Sequence, residues 1–353
     1  MEESGQIITG ISSGDAHSLA IVDGKLFSWG INSVGQLGLS DKVYLRDTPH
    51  RVGTFSDWQM VSARKNFTLA IRGGQLFSWG ANGLGQLGLG DSSLRRTPTR
   101  VGERDDWEFI SAGSQHSLGI AGGELFAWGG NSSGQLGIGS KRRKRSPFRV
   151  GKLDDWEAVS AGGTHSVALR GGRLYSWGDH HRGQLGLPAT ESKHFPVQVG
   201  QCTNWEAICA GWDFSLAIKN GELYSWGNNW VSQLGHGDIV SREEPTRIEQ
   251  RGQWTSVFAA GKTVVAISNG AAFAWGMEHA WIPERGAPTH RKTPTRIDDS
   301  FDWECISLGE THFLAVKGGL LYSWGHNMGG QLGVGDNSHR TTPTLISFPT
   351  NTP

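Results

Sequence analysis

Cysteine, charge imbalance and long apolar runs are what this sequence lacks. Its 353 residues include 3 cysteines, an odd and small number that excludes a disulfide framework and favours a reducing compartment. Lysine plus arginine total 33 and aspartate plus glutamate total 33, so no net field attracts nucleic acid or an anionic membrane. No run of about 18 apolar residues occurs, and no basic stretch precedes an apolar one at the N-terminus. We therefore expect a soluble intracellular protein, cytoplasmic or nuclear, without membrane association.

Tryptophan, in contrast, is abundant and periodic. The phrase Ser/Ala-Trp-Gly occurs seven times, spaced by 50 residues once and by 49 five times, at Trp29, Trp79, Trp128, Trp177, Trp226, Trp275 and Trp324. A second series keeps the same spacing at Trp58, Trp107, Trp156, Trp205, Trp254 and Trp303. A period in the forties with several short strands per unit is typical of a β-propeller.

One repeat shows the expected secondary structure. The fourth unit contains four runs rich in branched and aromatic residues, at 156–161, 165–169, 173–177 and 196–199. The second and third runs are separated by Gly171-Gly172, a two-residue link that suits a tight hairpin. Nothing in the unit is typical of a helix. The sequence therefore predicts an all-β fold, a seven-bladed propeller of four-stranded antiparallel blades.

Seven units of this length occupy nearly the whole sequence. We therefore predict a single domain over residues 1–353, and we expect a monomer. The first strand-like run lies near the N-terminus and the last near the C-terminus, so the two end segments must meet to close the ring. The sequence leaves open whether they meet inside one blade or between two.

Three motifs that resemble functional sites are interpreted as structural. Gly83–Gly88 matches GxGxxG, but no helix follows to receive a pyrophosphate. Gly130–Gly134 matches GxSxG without an Asp and His series to complete a triad. Histidines at one strand position alternate with phenylalanine between copies, which indicates packed blade residues and not a ring of metal ligands. We predict no catalytic residue, no cofactor and no metal.

Departures from the repeat are the candidate binding residues. Trp212 stands in the turn between the first two strands of blade five, where other copies carry Asp15, Lys65 and Glu310 or a small residue. Tryptophan is enriched in binding hot spots, although each such residue is also explained by packing over a blade edge. The predicted partner-binding residues are Trp212, Asp213, Trp281, Arg64, Lys65, Asp15, Glu310 and Trp230.

A basic run forms a second candidate. Lys141, Arg142, Arg143, Lys144 and Arg145 follow one another where other blades have a polar loop of mixed charge. Such a run suits phosphates, an acidic partner or a nuclear import receptor, and a solvated loop is the plain alternative. Since neither net positive charge nor interleaved aromatic residues support it, we do not expect nucleic-acid binding.

The repeated motifs GxxHSLAI, LFSWGxNxxGQLGLGD and TPxRVG resemble those of the regulator of chromosome condensation repeat family over essentially the whole chain. The resemblance implies a seven-bladed propeller but no single activity. Members of the family include a guanine-nucleotide exchange factor for a nuclear small GTPase, a plant ultraviolet-B photoreceptor, a β-lactamase inhibitor and substrate-recruiting subunits of ubiquitin ligases.

We therefore predict a protein-binding module that uses one propeller face. Nucleotide exchange on a Ran-type or other small GTPase is the alternative, although the regular spacing has no room for the inserted wedge that resembling exchange factors carry. Light sensing is disfavoured because only one partial copy of the photoreceptor's tryptophan turn is present, at 211–215. Inhibition of an enzyme is a special case of the first hypothesis.

Overall fold

A computed structural model describes residues 6–188, 191–250, 252–277 and 290–349. In these residues the backbone forms 28 strands and no helix. The strands of blades one to four are β1 (Ile8–Ser13), β2 (His17–Val22), β3 (Lys25–Ile31), β4 (Leu45–Arg51), β5 (Trp58–Arg64), β6 (Phe67–Arg72), β7 (Gln75–Gly80), β8 (Arg95–Arg100), β9 (Trp107–Ala112), β10 (His116–Ala121), β11 (Glu124–Gly129), β12 (Lys144–Arg149), β13 (Trp156–Ala161), β14 (His165–Arg170), β15 (Arg173–Gly178) and β16 (Lys193–Gln198). Those of blades five to seven are β17 (Trp205–Ala210), β18 (Phe214–Lys219), β19 (Glu222–Gly227), β20 (Arg242–Arg247), β21 (Trp254–Ala260), β22 (Thr263–Ser268), β23 (Ala271–Met277), β24 (His290–Arg296), β25 (Trp303–Leu308), β26 (His312–Lys317), β27 (Leu320–Gly325) and β28 (Arg340–Leu345).

Each blade is a four-stranded antiparallel sheet made from four consecutive strands. The first strand of every blade packs against the first strand of the next, so these strands surround a central channel. The expected seven-bladed all-β propeller is confirmed. Turns between first and second strands and loops between third and fourth strands open on one face, here called the turn face. The hairpins between second and third strands lie on the other face.

The ring closes between blades. Strand β1 stays within its own sheet and packs against β25 and β26 of blade seven. Trp29 Nε1 donates to the backbone oxygen of Gln331 at 2.9 Å, and Ser18 Oγ donates to the same oxygen at 2.8 Å. The rings of Phe27 and Phe348 meet with centroids 5.2 Å apart. This answers the question that the sequence leaves open.

The hairpin between the second and third strands depends on glycine. In blade four the pair Arg170 and Arg173 closes the hairpin, and Gly171 and Gly172 have φ values of 54° and 64°. This left-handed region disfavours residues with a side chain. A Cβ on Gly172 would also approach the backbone oxygen of Thr203 to 2.2 Å. The hairpin thus lies directly against the chain entering the next blade.

The tryptophans of the Ser/Ala-Trp-Gly series bind blades together. Trp177 is fully buried, and its Nε1 donates at 2.8 Å to the backbone oxygen of Gln135 in blade three. A Cβ on Gly137 would lie 2.8 Å from that nitrogen, so the GQLG turn must contain glycine where the indole packs. In the GxGxxG match, the backbone oxygen of Gln86 accepts the corresponding hydrogen bond from Trp128 Nε1. That motif is a blade-packing turn, as predicted.

Trp324 breaks this rule. Its Nε1 has no hydrogen-bond partner among the described residues, and the position of the accepting glutamine in blade six is Ile282, which lies outside them. The indole instead stacks on Phe313, with ring centroids 4.9 Å apart and an interplanar angle of 7°. Within the described ranges, the boundary between blades six and seven therefore lacks a hydrogen bond that the other blade boundaries possess.

This difference gives a matched pair of variants. Trp226→Phe removes a donor that reaches the backbone oxygen of Gln184 at 3.0 Å, whereas Trp324→Phe removes a donor that has no such partner in the described part of the chain. Both indoles contact the first-strand tryptophan of their own blade, and Trp324 also stacks on Phe313, a contact that a phenylalanine ring can retain. We expect Trp226→Phe to cost about 1 kcal/mol more in the free energy of unfolding, measured by urea denaturation. Equal losses would show that the indole hydrogen bond does not contribute to stability.

The histidines at the repeated strand position are packed blade residues, as predicted. Their Nε2 atoms lie within hydrogen-bond distance of a hydroxyl on an adjacent blade: 3.2 Å for His17 and Thr68, 2.9 Å for His116 and Ser166, 2.8 Å for His165 and Ser215, and 2.8 Å for His312 and Ser18. Burial lowers the pKa of His17 and His165 to about 4 and that of His116 and His312 to about 3. They are therefore neutral at physiological pH.

Candidate functional site

Four of the predicted residues meet over one mouth of the central channel. Asp15, Lys65, Trp212 and Glu310 occupy the same turn position in blades one, two, five and seven, and they line one site. The same position in the other three blades holds small residues, Ser114, Gly163 and Gly261. We call these four side chains the mouth cluster. Residues that are separate in the sequence thus form one surface because a closed ring points equivalent turns at a common axis.

Lys65 is the centre of the mouth cluster. Its Nζ lies 2.9 Å from Asp15 Oδ2, 3.7 Å from Glu310 Oε2 and 4.5 Å from the centroid of the Trp212 ring. Pairing of Arg64 with Phe67 makes Lys65 the first residue of a two-residue turn, with φ 52°. The side chain thereby reaches from blade two across the mouth to blade five. A cation against an indole face is attracted by the ring quadrupole.

Arg64 lies beneath Lys65 inside the channel. Its Nη1 donates to the backbone oxygen of Ala259 in blade six at 3.2 Å, and its Nη2 has no partner among the described residues. Burial lowers the pKa of Arg64, while Cys209, Asp15 and Glu310 oppose the shift. An arginine nevertheless stays charged in proteins. Arg64 and Lys65 together place two cations at the end of the channel.

The carboxylates of the mouth cluster share this positive environment. Burial raises the pKa of Glu310, the nearby Asp15 raises it further, and Lys65 opposes both effects. Lys65 Nζ lies within 4 Å of both carboxylates, and the side chains of Asp15 and Glu310 also lie within hydrogen-bond reach of each other. A partner that supplies a donor or a cation would relieve the repulsion between them.

Trp212 is the apolar part of the mouth cluster. Its side chain is held at the surface by the backbone: its N–H donates to Gly261 O at 3.2 Å, and its carbonyl accepts from Gly163 N at 3.1 Å. The residue remains 38% exposed. A cavity of about 370 Å³ lies beside the indole and is lined, in the described part of the chain, by Trp212, Gly261, Lys262, Thr263, Met277 and Glu310.

Sequence reasoning did not identify Lys262, Thr263 and Met277 as members of this site. Lys262 is adjacent in sequence to the turn position that the other candidates occupy, and that proximity was the available signal. Thr263 stands where four other blades carry histidine, and its hydroxyl donates to Met277 O at 2.8 Å. The end of β23 is thereby fixed beside the cavity.

Asp213 lies beside the mouth cluster and not in it. Its Oδ2 accepts a hydrogen bond from Asn228 Nδ2 at 2.7 Å, and its backbone oxygen accepts one from Asn228 N at 3.0 Å. The side chain therefore ties the turn to the loop after β19. One carboxylate oxygen is thus used within the fold, and the predicted contact of Asp213 with a partner stays a prediction.

The two remaining tryptophan candidates differ in what can be described. Trp230 is 56% exposed in the loop between β19 and β20, on the turn face, and the guanidinium of Arg182 lies 4.0 Å from its ring centroid. No contact joins Trp230 to the mouth cluster among the described residues. Trp281 lies outside the described residues, so its place in the predicted patch stays a prediction.

The basic run lies on the same face but farther from the axis. Lys141, Arg142 and Arg143 are exposed in the loop between β11 and β12, and Lys144 and Arg145 begin β12. Across the described ranges no three side chains of His, Cys, Asp or Glu are arranged to hold a metal ion. No helix in the same ranges is long and apolar enough to cross a membrane.

Solved structures with the same architecture support the fold. Human WBSCR16 is 23% identical, with a TM-score of 0.81 over 92% of this chain and 94% of the other. Prp20p from Saccharomyces cerevisiae is 20% identical, with a TM-score of 0.79 over 99% and 87% of the two chains. Yeast RCC1 (Prp20) in its complex with Kap60 is 24% identical, with a TM-score of 0.75 over 87% and 80%.

Family models agree with these structural matches. A comparison with curated protein sequences gave no match. The model of the RCC1-like domain matches residues 1–266, and the model of the regulator of chromosome condensation (RCC1) repeat matches residues 318–353. With seven four-stranded blades and more than half of its length matched, this chain belongs to the RCC1-like propeller family.

Proposed function

We propose that this protein is a binding module that docks a protein partner on its turn face through the mouth cluster. The observation that supports it best is the convergence of Asp15, Lys65, Trp212 and Glu310 from four blades around one channel mouth. None of these side chains is needed to fold a blade, because three blades have small residues at the same position. Loops on a rigid scaffold are where such proteins bind.

The chemistry of the mouth cluster suits a protein. Trp212 offers a rigid apolar surface with one donor, and the cavity beside it has room for a partner side chain. Charged groups around an aromatic anchor give specificity by requiring complementary charges on the partner. No step of covalent chemistry is proposed, and residues 1–353 are proposed to act as one monomeric domain inside the cell, in the cytoplasm or nucleus.

A small GTPase is the partner class to test first. Prp20p from Saccharomyces cerevisiae has binding properties to Gsp1p and histones, and the present chain shares its propeller fold. The carboxylates of Asp15 and Glu310 stand at the mouth, on the surface that would face such a partner. Accelerated nucleotide release from a bound GTPase would establish exchange activity, and binding without release would establish a scaffold.

The test compares Trp212→Ala with Trp230→Ala. Both variants remove an exposed indole from the turn face of blade five, but only Trp212 belongs to the mouth cluster. A partner is identified by pull-down from native host lysate with mass spectrometry, and its affinity is then measured by calorimetry. We expect Trp212→Ala to weaken binding by about 2 kcal/mol, as for a hot-spot residue, and Trp230→Ala to leave it unchanged.

Lys65→Met provides a second variant. It keeps an apolar stem over the indole and removes the cation that contacts both carboxylates. We expect it to weaken the same partner, with a dependence on salt that differs from that of the unmodified protein. A partner that binds all three variants as tightly as the unmodified protein would refute the mouth cluster as the docking site.

A further inference from the structure

The loop between β11 and β12 lacks an acidic residue that the corresponding loops of blades two, five and seven carry, and the sequence of blade four, with Ala189 and Lys193, lacks it too. In blades two, five and seven an aspartate after the GQLG turn pairs with the arginine that begins or nearly begins the fourth strand: Arg95 and Asp91 at 2.6 Å, Arg242 and Asp238 at 2.7 Å, and Arg340 and Asp336 at 2.6 Å. Blade three has Ser140 at the position of this aspartate and Lys144 at the position of the arginine. Its fourth strand therefore begins with a lysine that pairs with no carboxylate in the described part of the chain.

Further cations have been added to the same loop. Lys141, Arg142 and Arg143 stand where blade two has Ser92, Ser93 and Leu94. All three are exposed, and neither they nor Lys144 and Arg145 form a salt bridge with any described residue. Lys144 Nζ lies 3.9 Å from the ring centroid of Phe148. The chain as a whole is neutral, so this is a local concentration of positive charge.

The backbone of the loop is held by the fold. Asn131 Nδ2 donates to the backbone oxygens of Ser140 at 2.7 Å and Arg142 at 2.9 Å. Gly90 N donates to the backbone oxygen of Arg145 at 2.8 Å, and Lys144 pairs with Gly129 in the sheet. A receptor that reads the run as a free extended peptide, as an import receptor would, must break these bonds. What the loop presents outward is its side chains.

We propose that the side chains of Lys141, Arg142, Arg143, Lys144 and Arg145 form a docking site for an acidic peptide segment of a partner protein. Cations that form no salt bridge with a described carboxylate create a positive potential that attracts and orients such a segment over about a Debye length of 8–10 Å. Phe148, at 43% exposure, holds the Lys144 ammonium group against its ring at the edge of the site.

The observations favour a peptide over nucleic acid. Proteins that bind single-stranded nucleic acid stack bases on open aromatic faces, and Phe148 has its ring occupied by the Lys144 ammonium group. Duplex binding draws on many phosphate contacts, whereas these cations are confined to one loop of a neutral chain. This site is separate from the mouth cluster, because no residue of blade three lines the mouth in the described part of the chain.

The test uses the full chain with two labelled probes, a polyglutamate peptide and an oligothymidylate of equal charge. The variant is Lys141→Glu/Arg142→Glu/Arg143→Glu, which leaves the strand residues Lys144 and Arg145 in place. We expect the unmodified protein to bind the peptide in low salt, measured by fluorescence anisotropy. We expect the variant to bind about tenfold more weakly, since three exposed charge contacts are reversed.

A control variant separates this site from net charge. Arg100→Glu/Lys152→Glu/Arg173→Glu makes the same charge change on the opposite face and should retain peptide binding. Should the loop variant unfold, its glutamine counterpart at the same three positions replaces it, with folding checked by thermal melting. Equal weakening by both charge variants, failure of the peptide to bind, or tighter binding of the oligothymidylate would each overturn the proposal. Trp212→Ala must leave peptide binding unchanged, so failure here is distinct from failure of the proposed function.

Discussion

Replacing Trp177 by alanine is expected to lower the free energy of unfolding by about 3–5 kcal/mol. The indole is fully buried between blades three and four, donates to Gln135 O, and contacts Trp156 edge to face with ring centroids 6.5 Å apart. Alanine removes this packing and leaves a cavity that the flanking sheets cannot fill, because Gly137 is already placed against the ring. Such a loss is a large part of the stability of a typical domain.

Urea denaturation followed by tryptophan fluorescence and circular dichroism measures this loss. Trp212→Ala is the matched control, since it removes the same side chain from an exposed turn. We expect its melting temperature to stay near that of the unmodified protein. A large drop in the melting temperature of Trp212→Ala would show that this residue belongs to the core. A small loss in the free energy of unfolding of Trp177→Ala would show that the blade boundaries can repack.

Acid should destabilise the protein well before its carboxylates are protonated. The pKa of His17, His116, His165 and His312 is lowered by burial to about 3 or 4, against about 6.5 in an unfolded chain. Above pH 6.5 these rings are neutral in both states, and their full contribution to stability is present. As the pH falls from there towards the folded values, only the unfolded state binds protons, so stability is lost.

At about pH 5, protonation of each of the four histidines in the unfolded state lowers the free energy of unfolding by about 2 kcal/mol. Together the four lower it by several kcal/mol. Urea denaturation at neutral and at mildly acidic pH measures the change. His165→Phe is the informative variant, because Phe67 and Phe214 occupy the same position in blades two and five. We expect it to reduce the pH dependence by about a quarter in the same window. An unchanged slope would assign the acid sensitivity to other groups.

Periodicity made the fold predictable from the sequence. The Ser/Ala-Trp-Gly phrase set the blade count, and the hairpin expected at Gly171-Gly172 is present with both glycines in the left-handed region. Repetition also identifies candidate binding residues, because Trp212 lies outside both tryptophan series and Arg64, beside Lys65, replaces the turn glycine that most other copies carry. In a repeat protein, residues that hold the fold recur, and those that do not recur are free for other uses.

Contacts between blades on opposite sides of the channel could not be predicted from the sequence. Lys65 meets Trp212 because the ring brings blades two and five within reach of one side chain, and no spacing along the chain encodes that distance. The sequence likewise gives no sign that the Asp213 carboxylate accepts a hydrogen bond from Asn228. Whether the ring closes within or between blades depends on where β1 pairs, which is a matter of tertiary packing.

Closure between blades has an evolutionary consequence. Because every sheet consists of one uninterrupted segment, the stretch of gene that can be duplicated or deleted coincides with one complete hydrogen-bonded sheet. A sequence change within one repeat therefore alters the packing of that blade against its two neighbours. It leaves the hydrogen-bonded sheets of the other repeats intact. Blade seven illustrates this tolerance, since Trp324 Nε1 has no acceptor among the described residues and β25 to β28 still form a complete sheet. Such modularity lets single repeats diverge towards new partners while the ring persists.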